Sequence, residues 1–272
     1  MSNDIKRRVI ITLTTTPRRI GHLLPTLNSL INQTIPVQVW LAVPDQCARL
    51  GERMGPMPSF IEALQDQGKL MVIETPDFGP ATKLVPAWRM IREMQDNVPH
   101  AGEVFLIWCD DDIVYPAEMA DELTRECPRG AAIGTSGFRM QGIAPVHKHL
   151  DEVDILEAYA GICCRFKDIP DLSDIWTPKN SDQFEAMSLL EKCHWQADDY
   201  ILSRALQENG VATVVCNTPL INRKRIGIRA IGMREDGLQK SSATGGNIHA
   251  YMRLEKRRQQ FQQQQQKAQL CH

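Results

Sequence analysis

The sequence has no apolar run long enough to cross a membrane and no excess of one charge. Residues 1–8 are polar and basic and lead directly into a short apolar segment, so we expect neither a signal peptide nor a membrane helix. The 31 lysines and arginines nearly balance the 33 aspartates and glutamates, leaving a net charge of -2. This balance gives no reason to expect nucleic acid or an anionic membrane as a partner. We expect a cytoplasmic protein.

The sequence also lacks the paired cysteines of a metal or redox motif. Eight cysteines are present, but no two are spaced as C-x-x-C, and several lie within apolar runs. Cysteines in such positions indicate buried, reduced thiols rather than disulfides or a zinc site.

No internal repeat or long linker divides the chain, so we predict one continuous domain over residues 1–252. Residues 253–272 are charged and then rich in glutamine, with few apolar side chains to pack. This composition is typical of a helical or disordered tail, and we expect no catalytic residue there.

Short apolar segments alternate with segments of helical periodicity. We predict strands at 9–13, 37–43, 70–74, 104–109, 131–135 and 211–216, and helices at 20–31, 82–95, 116–127 and 197–209. Pro25 is compatible with the first helix only in its first turn. Strands separated by helices of this length predict an α/β fold, with a mostly parallel central sheet and helices on both faces.

The most informative segment is an apolar strand that ends in three adjacent carboxylates. Residues 104–109 are apolar, and Asp110, Asp111 and Asp112 follow directly. Adjacent carboxylates in apolar surroundings stay ionised only when a cation or several hydrogen-bond donors compensate them. Ligands also bind at the carboxyl ends of strands in α/β folds. The cluster therefore indicates a divalent metal, and the alternative is a solvated turn before a helix that begins at Pro116.

Several short motifs follow one another along residues 9–216. They are T-T-T-P-R-R-I at 14–20, D-F-G-P-A-T-K at 77–83, D-D-D at 110–112, L-E-A-Y-A-G at 156–161 and A-D-D at 197–199. In this order they resemble the GT-A glycosyltransferases, in particular those related to family 2. The resemblance implies the GT-A (nucleotide-diphospho-sugar transferase) fold. It also implies a metal-dependent, inverting transfer of a sugar from a nucleotide-diphosphate donor to a hydroxyl acceptor, which the sequence does not identify.

By this resemblance, the D-x-D motif supplies the metal and nucleotide ligands. Asp110 and Asp111 are the candidates for binding the nucleotide, and Asp112 is the candidate for holding the metal. Carboxylate, water and phosphate oxygens suit Mn²⁺ or Mg²⁺. His249 is the candidate for a further protein ligand, and the alternative is a surface histidine at the start of the tail.

Nucleotide recognition is expected from the first half of the chain. Thr14, Thr15 and Arg18 follow the first strand, where the resemblance places base and ribose, and Asp45 follows the second strand. An aspartate can accept a hydrogen bond from a ring N–H of uracil or guanine, so the donor is expected to be UDP- or GDP-linked. A turn residue after Pro44 is the alternative for Asp45.

Lys83 follows a turn at the start of a predicted helix, where backbone N–H groups and a lysine can together face phosphate. A solvated helix lysine is the alternative.

Of the acidic pair at 198–199, one residue is expected to be the helix N-cap. Asp199 is the candidate general base, because inverting transfer needs a carboxylate within reach of the acceptor hydroxyl. Trp195 could stack on a sugar ring, and a buried core position is the alternative.

Residues 157–161 would face the donor sugar or the acceptor by resemblance, although Ala158 and Ala160 stand where related enzymes often carry glycine.

Two other functions remain open. A nucleotidyltransferase of similar fold would use the same metal-binding acids but need no Asp199 base. A non-catalytic protein would keep only the nucleotide pocket or the fold, with its glutamine-rich tail as an interaction element.

Overall fold

The structure is a computed structural model and describes residues 7–97, 102–139, 150–216 and 229–230. The strands of its central sheet are β1 Arg8–Thr14, β2 Gln38–Pro44, β3 Leu70–Thr75, β4 Val104–Trp108, β5 Ala131–Gly134, β6 Leu150–Glu152, β7 Ile162–Arg165 and β8 Ala212–Cys216. The helices are α1 Leu24–Ile31, α2 Ser59–Asp66, α3 Val85–Asn97, α4 Met119–Glu126, α5 Ser181–Ala186, α6 Leu189–Trp195 and α7 Asp198–Glu208.

These eight strands form one sheet in the order β6-β8-β5-β7-β4-β1-β2-β3. Strands β3, β2, β1 and β4 pair in parallel, and so do β5 and β8. Strand β7 is antiparallel to both β4 and β5, and β6 is antiparallel to β8. The predicted α/β class with a mostly parallel sheet is therefore confirmed.

Helices cover both faces of the sheet, because alternate residues of β1 pack on opposite sides. Val9, Ile11 and Leu13 share one apolar cluster with buried residues of α1, α2 and α4. Ile10 belongs to the other cluster, with buried residues of α3 and α7. A strand that is buried on both faces explains why its sequence is continuously apolar rather than alternating.

Three of the predicted helices begin three or four residues later than the sequence indicated, and one of them is α4, which begins at Met119 rather than at Pro116. A 3-10 turn at Ile20–His22 precedes α1, and Pro25 lies in the first turn of α1, as its missing N–H requires. A second 3-10 turn at Gly79–Lys83 precedes α3. The antiparallel strand β7 was not predicted, because its sequence I-C-C-R carries no alternation of polar and apolar residues.

Among the residues described, no helix is both long and apolar enough to span a membrane. The prediction of buried, reduced thiols is confirmed for the cysteines whose side chains the structure describes. All of these are buried thiols outside any disulfide, namely Cys47, Cys109, Cys127, Cys163, Cys164 and Cys216.

The topology gathers polar residues at one edge of the sheet. Strands β1, β2, β3 and β4 run in the same direction, so their carboxyl ends meet there. Thr15, Asp45, Asp77 and Asp110 lie just beyond those four strand ends. In open α/β sheets this edge is where ligands bind.

Gly79 starts the turn that leads to Lys83, and a side chain there would meet an aromatic ring. Its φ is +61°, and an added Cβ would lie 3.0 Å from Cε2 and Cζ2 of Trp195. We expect Gly79→Ala to lower the free energy of unfolding by about 3 kcal/mol, through backbone strain and steric overlap. Gly210 is the matched control, because its φ is +75° and an added Cβ has no neighbour within 4 Å.

Gly210→Ala should therefore cost only about 1 kcal/mol, which is the backbone effect alone. Urea unfolding followed by circular dichroism measures both losses. Equal losses would show that the contact with Trp195 does not constrain the turn.

Candidate active site

Two of the three aspartates that follow β4, Asp110 and Asp111, are anchored through their backbone. The Tyr115 hydroxyl accepts a hydrogen bond from the Asp110 N–H at 2.9 Å and donates one to the Asp110 carbonyl at 3.1 Å. The Thr26 hydroxyl donates to the Asp111 carbonyl at 2.9 Å. Because these anchors use backbone groups, the carboxylates are left to make contacts of their own.

Arg19 lies between two of these carboxylates. Its Nη2 is 2.7 Å from Asp111 Oδ1 and 2.7 Å from Asp112 Oδ2. The Thr15 hydroxyl donates to Asp111 Oδ2 at 2.7 Å. The Asp111 side chain is only 6% exposed, whereas that of Asp112 is 35% exposed. The sequence argument inferred a metal ion from the need to compensate these carboxylates. That argument was incomplete, because the Arg19 guanidinium compensates part of their charge.

The charges of this group shift each other's pKa values. Burial acts to lower the pKa of Arg19, but the carboxylates of Asp111, Asp112 and Asp110 outweigh it and leave that pKa raised. Burial raises the pKa of Asp111 to about 6, although Arg19 and the Thr15 hydroxyl act in the opposite direction. Asp111 is thus a carboxylate whose ionised form depends on the neighbouring arginine.

Lys83 is a second buried cation, and it joins two distant parts of the chain. Its Nζ contacts Asp110 at the end of β4 and lies 2.9 Å from Asp198 Oδ2 at the start of α7. Only 5% of the residue is exposed, so the alternative of a solvated helix lysine is wrong. Burial acts to lower the pKa of Lys83, but Asp110, Asp198 and Asp199 raise it well above its usual value.

The position of Lys83 also differs from the expected one. It is the last residue of the 3-10 turn and precedes α3, rather than lying in the first turn of that helix. Contacts with two carboxylates, and not the helix N-terminus, define its surroundings.

The acidic pair at the start of α7 does not cap the helix. The N-cap is Ala197, and both Asp198 and Asp199 lie in the first turn, so the predicted N-cap role is wrong. Asp199 Oδ1 accepts a hydrogen bond from the Ala158 N–H at 3.0 Å. Burial, Asp198 and Asp110 raise the pKa of Asp199 well above its usual value, against the opposing effects of Lys83 and that N–H.

The segment at 157–161 is brought to this cluster by the contact between Ala158 and Asp199. Glu157 Oε2 accepts a hydrogen bond from the Ser136 hydroxyl at 2.6 Å. The Tyr159 hydroxyl donates to Ser136 Oγ at 3.0 Å, and 41% of Tyr159 is exposed. The segment therefore exposes Tyr159, whereas Ser136, to which the tyrosine donates, is buried.

Other predicted residues lie at the same edge of the sheet but make separate contacts. The Thr14 hydroxyl donates to the Ala42 carbonyl at 2.8 Å. Arg18 forms an exposed ion pair with Glu52, at 2.6 Å. Asp45 is exposed, directly after β2.

Two further residues were candidates from the sequence, Trp195 for stacking on a sugar ring and His249 as a metal ligand. Trp195 is buried and packs against Phe184, with 5.2 Å between the ring centroids, which confirms the alternative of a core position. His249 lies outside the described residues.

Two site residues were missed in the sequence. Arg19 reaches the aspartates where Arg18 had been chosen, and adjacent arginines carry no signal that separates them. Asp77 holds the turn that leads to Lys83, because its carboxylate accepts hydrogen bonds from Ala48 N–H at 2.7 Å and Gly79 N–H at 2.8 Å. Burial raises the pKa of Asp77. An acid directly after a strand was the available signal for it.

The carboxylates of Asp111 and Asp112 could bind a hard divalent cation, because they offer oxygen ligands and because two of these oxygens converge on one point. Asp111 and Asp112 direct one oxygen each toward a single cationic nitrogen, and oxygen ligands suit Mg²⁺ or Mn²⁺. Within the described ranges, no three His, Cys, Asp or Glu side chains form a complete metal site. A site of this kind would take its remaining ligands from phosphate and water, as Mg²⁺ commonly does.

Lys83 should be essential for the stability of this edge of the sheet. We expect Lys83→Met to lower the free energy of unfolding by about 3 to 5 kcal/mol, because it leaves Asp110 and Asp198 without their shared cation. Lys192→Met is the matched control, since Lys192 pairs with the largely exposed Glu185 and should cost less than about 1 kcal/mol. Similar losses in chemical denaturation would contradict the assigned role of Lys83.

The raised pKa of Asp111 predicts a pH dependence of stability. Folding favours the protonated form, so this contribution is present below about pH 4 and is lost as the pH rises through about 6. With metal chelated, the wild-type protein should lose up to about 3 kcal/mol more than Asp111→Asn across this interval. Urea unfolding at several pH values measures the difference.

The exposed Asp66 provides a control for that experiment. Asp66→Asn should keep the wild-type pH dependence. If Asp111→Asn also kept it, the assignment of the titration to Asp111 would be wrong.

No protein-family model matches the chain, and no curated protein matches it. Solved structures that resemble it include TarS of S. aureus, with 19% identity and a TM-score of 0.41 over 78% of this chain and 35% of that one. Mannosyltransferase PcManGT from Pyrobaculum calidifontis, in complex with GDP-Man and Mn²⁺, has 14% identity and a TM-score of 0.44 over 84% of this chain and 58% of that one. 4-Diphosphocytidyl-2C-methyl-D-erythritol synthase has 11% identity and a TM-score of 0.42 over 81% and 92%.

The chain thus spans between 35% and 58% of the length of the first two of these proteins. The resemblance to glycosyltransferases that the motifs indicated recurs among solved structures. At these identities and TM-scores the matches carry no argument about function. The functional proposal is therefore based on the geometry of the site.

Proposed function

We propose that the protein is a metal-dependent GT-A glycosyltransferase that moves a sugar from a UDP- or GDP-linked donor to a hydroxyl acceptor with inversion. The observation that carries the proposal is the contact of Lys83 with both Asp110 and Asp198. This contact brings the D-D-D motif and the acidic pair of α7 into one charged cluster, although they are far apart in sequence. A transfer reaction needs both groups, one for the leaving diphosphate and one for the acceptor.

The nucleotide is proposed to lie along the carboxyl ends of β1 and β2. Asp45 is exposed there and can accept a hydrogen bond from a ring N–H of uracil or guanine. The hydroxyls of Thr14 and Thr15 already donate to Ala42 and Asp111. These two threonines would therefore shape the nucleotide pocket, with Asp110 turned toward the ribose.

Asp112 and Asp111 would hold Mn²⁺ or Mg²⁺, with diphosphate and water oxygens as further ligands and His249 as a candidate outside the described residues. When bound, the ion supplies Lewis-acid stabilisation of the leaving diphosphate. Lys83 remains protonated because of its carboxylate neighbours, and its positive charge lowers the energy of the negative charge that develops nearby.

Asp199 is the proposed general base. It would take the proton of the acceptor hydroxyl as that oxygen bonds to the anomeric carbon. In the same step the bond from this carbon to the diphosphate breaks, and its electron pair leaves with the diphosphate. A carboxylate whose pKa is raised is a stronger base once ionised, so the transfer rate should increase as the pH rises through that pKa.

The proposal is tested first by calorimetric binding of UDP and GDP, each with Mn²⁺ and with the metal chelated. One of the two should bind in a metal-dependent manner. Asp112→Asn should lose that binding. Asp199→Asn should keep it, yet release nucleoside diphosphate from UDP-glucose or GDP-mannose about 10² to 10⁴ times more slowly, as expected for a lost general base.

Asp66→Asn, an exposed substitution of the same kind, should change neither binding nor turnover. Activity that survives in Asp199→Asn but is lost in Asp112→Asn would favour a nucleotidyltransferase instead. A folded protein that binds neither nucleotide would indicate a non-catalytic function.

A further inference from the structure

The Arg19 guanidinium occupies the point where two carboxylates of the D-D-D motif converge. One nitrogen, Nη2, lies 2.7 Å from an oxygen of Asp111 and 2.7 Å from an oxygen of Asp112. The arginine side chain is itself largely buried, with 18% exposed. These are the oxygens that the proposed function assigns to a divalent metal.

A guanidinium and a metal ion cannot occupy one position between two oxygens. We propose that Arg19 is a built-in counter-ion that competes with the divalent metal for Asp111 and Asp112, and that metal binding displaces its side chain. The inference rests on the metal site of the proposed function. It adds that the affinity of this chain for metal is set by an arginine that must first leave.

The surroundings of Arg19 allow such a displacement. Asp112 is partly exposed, so an ion can approach it from solvent. Asp111 keeps its hydrogen bond from the Thr15 hydroxyl when the arginine moves. The Arg19 backbone N–H is held by the Thr16 carbonyl at 3.0 Å, so only the side chain has to change position.

The neighbouring arginine provides an unusually close control. Arg18 carries the same charge one residue away, but it pairs with Glu52 and its side chain is 47% exposed. Substitution of either arginine by glutamine changes the net charge equally. Only the change at Arg19 removes a competitor for the aspartate oxygens.

Mn²⁺ binding without nucleotide, followed by electron paramagnetic resonance of the free ion at constant pH, tests the inference. Arg19→Gln should bind Mn²⁺ at least about tenfold more tightly than the wild-type protein, a factor that corresponds to about 1.4 kcal/mol. Arg18→Gln should match the wild-type protein within about twofold, as expected for an exposed ion pair. Adding Asp112→Asn to Arg19→Gln should abolish the gain.

The outcomes separate this inference from the proposed function. If the wild-type protein binds Mn²⁺ and Arg19→Gln binds it equally or more weakly, the competition is refuted while the metal site stands. If the gain persists without the Asp112 carboxylate, the competing site is not the one proposed here. If no variant binds Mn²⁺ alone, the competition is refuted, and the metal site is refuted as well if adding UDP or GDP does not restore binding.

A measurement on the wild-type protein guards against misfolding of Arg19→Gln. Phenylglyoxal modifies accessible guanidinium groups, and peptide mass spectrometry locates the modified arginine. Mn²⁺ should accelerate the modification of Arg19, because its side chain is released from the two carboxylates, and should leave that of Arg18 unchanged. An unchanged or slower reaction at Arg19, with Mn²⁺ bound, would refute the displacement.

Discussion

The arrangement of the site depends on one buried ion pair network, in which Lys83 contacts Asp110 and Asp198. A buried lysine is costly unless carboxylates compensate its charge, and the buried carboxylate of Asp198 is costly without the lysine. The network therefore holds only when the end of β4, the turn before α3 and the start of α7 are in place together. This mutual requirement makes the position of each element depend on the other two.

Arg19 extends the same principle to the remaining two aspartates of the motif. The five carboxylates at positions 110, 111, 112, 198 and 199 share the positive charges of Lys83 and Arg19. Burial raises the pKa values of Asp111 and Asp199, and the neighbouring acids, which outnumber the cations, raise them further. A divalent cation that binds with a nucleotide diphosphate would reduce this excess of negative charge. The charge of the site is therefore consistent with the metal-dependent reaction proposed for it.

Features of the fold that depend on local sequence patterns could be predicted. The continuously apolar strand before Asp110, and the helical spacing of apolar residues around Leu27, predicted the α/β class and the edge of the sheet where the acids lie. The strand β7 was missed, because a short antiparallel strand inserted between parallel ones leaves no local pattern.

The contacts of the site were harder to predict, because they join residues that are distant in sequence. Nothing local indicates that Lys83 reaches Asp198, or that Arg19 rather than Arg18 points to Asp111. The N-cap predicted for the acidic pair failed for the same reason, since tertiary partners of Asp198 replaced the local capping bond.

The most direct test of the account is X-ray diffraction from crystals grown with Mn²⁺ and either GDP or UDP, with manganese located by anomalous scattering. The account predicts a manganese peak on the Asp112 carboxylate, within coordination distance of one of its oxygens. It also predicts the diphosphate at the same edge of the sheet, with Lys83 still between Asp110 and Asp198. Manganese and nucleotide bound elsewhere, with Arg19 still seated on Asp111 and Asp112, would contradict it.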